Sequence, residues 1–356
     1  MTTIGPKEPS AAATRHENRP ATVTLRMVAA HAGVSKSVVS RVLQDSPHVS
    51  PTKRAAVAAA IQELGYRPNS LARSLTQRRT NIVGVLVHDL RQPWFVDALA
   101  GLGAGLAPTG LLPFIADGQL DRTLDDRVVR SFMGLRLDGF ILAGSVPETA
   151  SVVAATERIP SVAVGGRDIT RQGVDLVAQD DVLGARLALD HLHDLGHRRI
   201  QHVAGAEGRS FDLRRETYLA WMAERGLTDH ARVVPEATSE PGGYSATRTL
   251  LDVSTELRPT ALFAGNDALA VGALAAVRDA GLGVPGDVSV IGFDGTSLAA
   301  AQHIRLTTVD TDIAGMGRRA AELLIARIAD PGRDRTEILT EPSVTVRGTT
   351  GPAPSA

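Results

Sequence analysis

Between residues 23 and 66, apolar positions recur at helical spacing in three short runs. Thr24 is placed to cap a helix from Leu25 to about Ala32, with Met27, Val28 and His31 one turn apart. Gly33 breaks that run. Ser35 then stands where its oxygen can accept from the free amides of a second helix, Lys36 to about Leu43, whose apolar face is Val39, Val42 and Leu43. Ser50-Pro51 opens a third helix, since proline at the first helical position forfeits no amide partner. That helix runs to Leu64, where Gly65 can supply the positive φ that ends it.

From Asn81 the pattern changes to short β-branched runs separated by helical stretches. The predicted strands are Ile82–Val87, Leu112–Ala116, Gly139–Ala143, Ser161–Val164, Arg199–Val203, Ala261–Ala264 and Ser289–Phe293. Helical spacing marks Asp125–Met133, Val182–Leu195, Arg214–Glu224 and Ala268–Ala280. Near-continuous apolar strands alternating with helices call for parallel sheets covered on both faces. A stretch of this length exceeds what one sheet needs, so two α/β lobes are expected, with a ligand held at strand carboxyl ends between them.

Charge sharpens this division. The chain of 356 residues carries 38 Lys and Arg against 39 Asp and Glu, a formal charge of −1. Residues 1–80 hold 12 of the basic groups and only 4 acids, a balance of +8, which leaves −9 on the remainder. A basic segment joined to an acidic one points to a nucleic-acid-binding module fused to something different. There is no cysteine, which excludes disulfides, thiol nucleophiles and cysteine-ligated metal. No apolar run approaches the roughly 18–20 residues of a membrane span. The first twenty residues lack the apolar stretch of a secretory signal and read as a solvated tail, so a cytoplasmic protein is expected.

Two short helices joined through Gly33-Val34-Ser35 fit a helix-turn-helix, whose second helix enters the DNA major groove. Lys36-Ser37, with Arg41 one turn on, would then meet phosphates and guanine edges. The same spacing fits a generic three-helix bundle with a charged solvent face. After it, Tyr66 to Leu75 with Arg73, Arg78 and Arg79 reads as a basic linker, too short for a stable isolated helix.

Taken in order, the motifs resemble the lactose-repressor (LacI/GalR-type) family. They begin with Leu25-Arg26-Met27-Val28-Ala29-Ala30-His31-Ala32-Gly33-Val34-Ser35 and Val39-Ser40-Arg41-Val42-Leu43. Glu63-Leu64-Gly65-Tyr66-Arg67-Pro68-Asn69 and Leu71-Ala72-Arg73-Ser74-Leu75 follow. Further on come Leu195-Gly196-His197-Arg198-Arg199-Ile200, Asn266-Asp267-Ala268-Leu269-Ala270 and Asp287-Val288-Ser289-Val290-Ile291-Gly292-Phe293-Asp294. The resemblance implies a small all-α headpiece at residues 23–67 after a tail at 1–22, a hinge at 68–80, and an effector-binding and dimerisation domain at 81–348. That domain would be a two-lobed α/β body like periplasmic binding proteins, with one lobe at about 81–180 and 310–336, the other at about 181–309 and 337–348, and a tail at 349–356.

It further implies a homodimeric transcriptional repressor that binds a palindromic operator in double-stranded DNA under control of a small molecule, a sugar or sugar derivative being the expected chemistry. Carried onto this sequence, Lys36, Ser37 and Arg41 read bases, Ser35 and Ser40 touch phosphates, and Leu75 wedges into the minor groove beside Ala72 and Arg73. Val38 departs from the family, which usually has Thr there. Trp94 and Phe95 match a ligand-stacking aromatic pair, Arg214 a ligand-clamping arginine, and Asp180, Asn266, Asp267 and Asp294 polar ligand contacts. Thr238 stands where the family often has a cleft aromatic, and Ala143 where it can have a polar residue. A fork of Asp, Asn and Arg with an aromatic suits sugar hydroxyls and a sugar ring face.

Competing motifs fare poorly. Gly281-Leu-Gly283-Val-Pro-Gly286 has the letters of a dinucleotide fingerprint but precedes a strand instead of following one, and Gly101-Leu-Gly103-Ala-Gly105 lies within a predicted helix. His191, His193 and His197 do not share a helix face, so no metal is expected, nor any other cofactor. No Gly-x-Ser-x-Gly elbow occurs and no nucleophile or acid/base pair assembles, so an enzyme is not expected. A solute-binding protein of a transport system is the alternative that the lobes alone would allow.

Overall fold

The structure, a computed structural model, describes residues 23–43, 46–66, 79–118 and 122–354, the side chains of Arg122 and Asp125 apart. The chain forms two compact units, one before residue 79 and one from Arg79 onward.

The first unit contains α1 (Leu25–His31), α2 (Lys36–Leu43) and α3 (Pro51–Leu64). Thr24 caps α1 by accepting from the Met27 amide at 3.4 Å, and Gly33 and Gly65 take φ of 63° and 61° at the two turns. Ser35 does not cap with its side chain as expected. Its Oγ meets Ser37 Oγ at 2.8 Å, while its carbonyl accepts from the Val38 and Val39 amides. Val28, Ala29, Val39, Val57, Ala60 and Tyr66 form one small core.

The second unit is two α/β lobes. The first has β1 (Ile82–Val87), β2 (Leu112–Asp117), β3 (Gly139–Ala143), β4 (Ser161–Val164), β5 (Val174–Gln179) and β11 (Glu337–Thr340), with α4 (Pro93–Leu106), α5 (Arg122–Gly134), α6 (Ala150–Thr156) and α11 (Ile313–Ala329). The second has β6 (Ile200–Gly205), β7 (Val233–Glu236), β8 (Ala261–Ala264), β9 (Ser289–Asp294), β10 (Thr307–Asp310) and β12 (Ser343–Thr345), with α7 (Asp181–Asp194), α8 (Arg209–Glu224), α9 (Glu240–Leu251) and α10 (Asp267–Asp279). The sheet orders are β11-β5-β4-β3-β1-β2 and β12-β10-β9-β8-β6-β7. Every pairing is parallel except that of β10 with β12. Among the described residues, no helix is long and apolar enough to cross a membrane.

Two expectations need correction. Residues 337–340 belong to the first lobe, where β11 pairs with β5 from Glu337 opposite Leu176 to Thr340 opposite Gln179. The helix α11 covers that lobe's sheet and delivers the next strand to its open edge, so the chain crosses between lobes three times, after β5, β10 and β11. Nor is the segment from residue 349 a loose tail. Val290 donates to the Thr349 carbonyl at 2.7 Å, Ala353 donates to Leu195 at 2.8 Å, and Thr349 Oγ1 donates back to the Val290 carbonyl at 2.7 Å. The histidines of the candidate metal motif serve this closure: His191 meets Thr350 Oγ1 at 2.9 Å, and buried His197 bridges Thr260, Ser289 and the Gly351 carbonyl.

The glycines of Gly101-Leu-Gly103-Ala-Gly105 also find a packing role. A Cβ on Gly101 would stand 1.9 Å from the Ala314 carbonyl oxygen, and one on Gly317 would stand 2.1 Å from that of Ala98. Small residues let the backbones of α4 and α11 touch.

A buried ion pair fixes α11 to the strand it crosses. Arg327 donates to both oxygens of Asp175 at 2.8 and 2.7 Å, and Asp175 also accepts from the Thr336 amide at 2.7 Å. Both side chains are sealed from water. Removing one partner strands the other charge, so Asp175→Ala should cost about 3–5 kcal/mol, read as a lowered denaturant midpoint.

Candidate functional site

In the first unit, α2 divides its side chains by exposure. Val39 is buried in the three-helix core, while Ser35, Lys36, Ser37 and Arg41 are exposed and Ser40 is half-buried. The charged and hydroxyl-bearing face is therefore free of the protein's own packing, as a groove-reading helix requires. Val38 is half-buried at the edge of that face. Ala72, Arg73 and Leu75 lie outside the described residues.

In the second unit, a cavity of about 600 Å³ opens between the lobes, within the usual size range of small-molecule sites. Carboxyl ends of the parallel strands build its walls. His88 follows β1, Ser145 follows β3, Gly165 follows β4 and Gln179 ends β5; facing them are Gly208 after β6, Thr238 after β7, Asn266 after β8 and Asp294 at the end of β9. Hydrogen bonds join the lips. Gln92 donates through Nε2 to the Thr238 carbonyl, the Ser297 amide donates to Asp97 at 2.8 Å, and the Arg209 amide donates to Asp168 at 3.3 Å.

Arg214 lies at the floor, 3% exposed. Its Nε donates to Asp181 Oδ1 at 2.9 Å; its Nη1 donates to the Gly265 carbonyl and, at 3.4 Å, to Asp294 Oδ1. The guanidinium carbon stacks 3.6 Å over the Phe293 ring centre. Asp294 holds φ at 109°, a region that a residue with a Cβ occupies only when its surroundings impose it. Burial pushes its carboxyl well above the usual carboxylate range; Arg214 opposes this, and the Asp267 and Asp181 charges add to it.

Of the effector residues read from the sequence, Trp94, Phe95, Arg214, Asn266 and Asp294 all line the cavity. Trp94 lies against Gly165, where an added Cβ would come within 2.3 Å of the indole. Phe95 meets Trp94 edge-on at 5.0 Å and is otherwise a core residue. Asn266 caps α10 by accepting from the Leu269 amide at 2.9 Å, and its Nδ2 has no partner among the described residues.

Asp180 and Asp267 do not line the cavity. Asp180 caps α7, accepting from the Leu183 amide at 2.9 Å; its neighbour Asp181 is the one that reaches Arg214. Asp267 is fully buried, accepting from the Thr296 amide at 2.7 Å, Thr296 Oγ1 at 2.8 Å and Thr308 Oγ1 at 2.5 Å. At a strand-to-helix junction a carboxylate can cap, staple or bind, and here capping and stapling took both. Sequence reasoning also missed His88, Asp168, Gln179 and Ser210. Their signal was positional: Asp168 follows the predicted strand Ser161–Val164 by a short Gly-Gly turn.

With both surfaces described, comparison with known proteins decides the identity. Residues 24–69 match the bacterial regulatory proteins of the lacI family, and residues 189–350 match the periplasmic binding protein-like domain. The ribose operon repressor of Escherichia coli K12 is 33% identical over 330 residues, 91% of this chain and 99% of that one. The chain belongs to the lacI family.

Among solved structures, the lac repressor dimer bound to operator and the anti-inducer ONPF aligns with a TM-score of 0.81 at 26% identity, over 92% of this chain and 99% of that one. A complex of the transcriptional regulator CelR with cellobiose aligns at 0.68 and 30% identity, over 93% of this chain and 100% of that one. As a lacI-family member the chain is a DNA-binding transcriptional regulator, and its acidic half is the family's binding-protein-like body.

Asp294 offers a check on the electrostatics of the cleft. With its pKa raised, the carboxyl holds a proton more readily in the folded chain than in the unfolded one. Its contribution to stability is therefore lost as pH rises from the ordinary carboxylate range, about 4, through the raised value. Asp294→Asn cannot titrate. Between about pH 5 and about pH 8, the denaturant midpoint should fall further in the unsubstituted chain than in the variant.

Proposed function

We propose that this chain is a homodimeric repressor whose headpieces read a palindromic operator and whose cleft holds a sugar or sugar derivative that sets operator affinity. The observation that carries this reading is the cleft floor, where a buried Arg–Asp cluster meets polar groups that find no partner in the protein. Among the described residues, Gln179 Oε1, Asp168 Oδ2 and His88 Nδ1, all lining the cavity, are shielded from water and unpaired. Buried polar groups are costly to leave unmet, and a polyhydroxylated ligand beside Trp94 supplies what they lack.

Lys36, Ser37 and Arg41 would contact base edges, with Ser35 and Ser40 on phosphates. Ala72, Arg73 and Leu75 keep their hinge role on the strength of the resemblance. The lip bonds from Gln92 and Asp97 give an effector something to reinforce or break as it biases lobe closure. Linkage then requires that operator change effector affinity by the same factor. No cofactor and no catalytic step enter this scheme, and its place of action is the cytoplasm, with the DNA. A transport role would leave the exposed face of α2 without a purpose.

Footprinting and gel-shift titration on the gene's own upstream DNA test the reading. Arg41→Ala should cost about 1–3 kcal/mol and relax preference at the bases it meets. Lys53→Ala, on the exposed side of α3, should weaken all sequences alike and lower the salt slope by about 1. Equal binding of specific and random DNA by the unsubstituted chain would overturn the proposal.

A further inference from the structure

We infer that the cleft selects against anionic effectors, and that its ligand is a non-anionic, hydroxyl-rich molecule, neutral or carrying an amine, gripped on the first lobe by Asp168 and Gln179. This rests on the reading of the cleft as the effector site.

The charges lining the cavity are one-sided. Asp89, Asp168, Glu207 and Asp212 face a single arginine, Arg214, with the proton-holding carboxyl of Asp294 beside it. Arg91 offsets Asp89 at 2.7 Å and Arg215 offsets Asp212 at 2.7 Å. Arg214 is already shared between Asp181 and Asp294. Among the described residues, neither Asp168 nor Glu207 forms an ion pair; Arg209, near enough to feel the Asp168 charge, turns its guanidinium to Glu216 at 2.9 Å. A phosphate or carboxylate brought to Arg214 would have to displace the Asp294 carboxyl and come close to the Asp181 anion, in a site sheltered from bulk water where like charges repel strongly.

The unmet hydrogen-bonding groups point the same way. Gln179 is 3% exposed, and its Nε2 faces Asp181 Oδ1 at 3.0 Å, Ser210 Oγ at 3.4 Å and the Gly165 carbonyl at 3.5 Å. Those acceptors fix the orientation of the amide and leave Oε1 as the atom without a partner. Asp168 spends Oδ1 on the Arg209 amide and keeps Oδ2 sheltered and unpaired. Oε1 and Oδ2 can only accept, so the ligand must bring donors. A phosphate dianion brings only acceptors, whereas hydroxyls and ammonium groups bring donors. Among the described residues, the Nδ2 of Asn266 and the Nη2 of Arg214 have no partner and remain for the ligand's own oxygens.

The test uses the purified full chain and a panel of common pentoses, hexoses and disaccharides. Each is matched with its amino-deoxy analogue, its phosphate ester and its uronic or aldonic acid. Binding is followed by tryptophan fluorescence, since Trp94 lines the cleft and Trp221 lies in the second lobe's core, and affinities are confirmed by calorimetry. At least one neutral member should bind and shift operator affinity, and its phosphate and acid forms should bind at least about tenfold more weakly. Asp168→Asn should weaken the neutral ligand and narrow its margin over the phosphate, with an unchanged melting temperature showing the fold intact.

A phosphate or acid that binds as well as its neutral parent overturns the selectivity and leaves the cleft standing as an effector site. An unchanged margin in Asp168→Asn overturns the part given to that residue. Silence from every member, anionic and neutral alike, overturns the sugar-binding reading and this inference with it.

Discussion

A guanidinium sealed under the cleft dictates how the second lobe is put together. A buried charge that loses its partner is severely destabilising, so the chain must bring hydrogen-bond acceptors to Arg214 from wherever they lie. Asp181 comes from the first turn of α7, Asp294 from the end of β9 and a carbonyl from Gly265 after β8. Phe293 covers the remaining face. Three elements distant in sequence are thereby fixed at one point, and the unusual backbone of Asp294 follows from that demand.

The same point is where the lobes join. The chain passes from β5 to α7 through residues 179 to 181, and Gln179 on one side bonds directly to Asp181 on the other. Any ligand that engages Gln179 therefore pulls on the first crossing and, through Asp181, on Arg214. The remaining contacts between lobes described above are hydrogen bonds at the cleft lips, not shared apolar core, since each lobe closes its own clusters. Few buried apolar contacts across a boundary make motion there inexpensive. A ligand of modest affinity can then bias the arrangement.

How much of this was legible in the sequence depended on what kind of force placed each residue. Local rules sufficed for α2, whose bounds match Lys36–Leu43, for Gly65 at its positive φ, and for β1, β3, β4 and β8, each a compact apolar run. The three-residue strand β12 is too short to show a period, Pro235 within β7 argues against a strand, and β11 joins a sheet remote from its neighbours in sequence, which no local pattern encodes. Within the cleft, Trp94, Arg214, Asn266 and Asp294 were found because the resemblance carried them. Asp180 and Asp267 went astray because a carboxylate at a helix start looks the same whether it caps the helix or faces a ligand. Asp168 and Gln179 were missed because their importance lies in what they fail to bond, a property only packing reveals.

The uneven charge along the chain takes on a second meaning at the cleft. Over the whole molecule, +8 on residues 1–80 against −9 beyond steers a polyanion toward the headpiece and away from the lobes, a long-range effect that salt weakens. Within the cavity the same excess of carboxylates acts at short range, where water is scarce and salt screens poorly. One composition thus serves two discriminations that differ in range and in salt dependence. Operator affinity should be steeply salt-dependent, while the preference among effectors, set at contact distance beneath Trp94, should vary little with ionic strength.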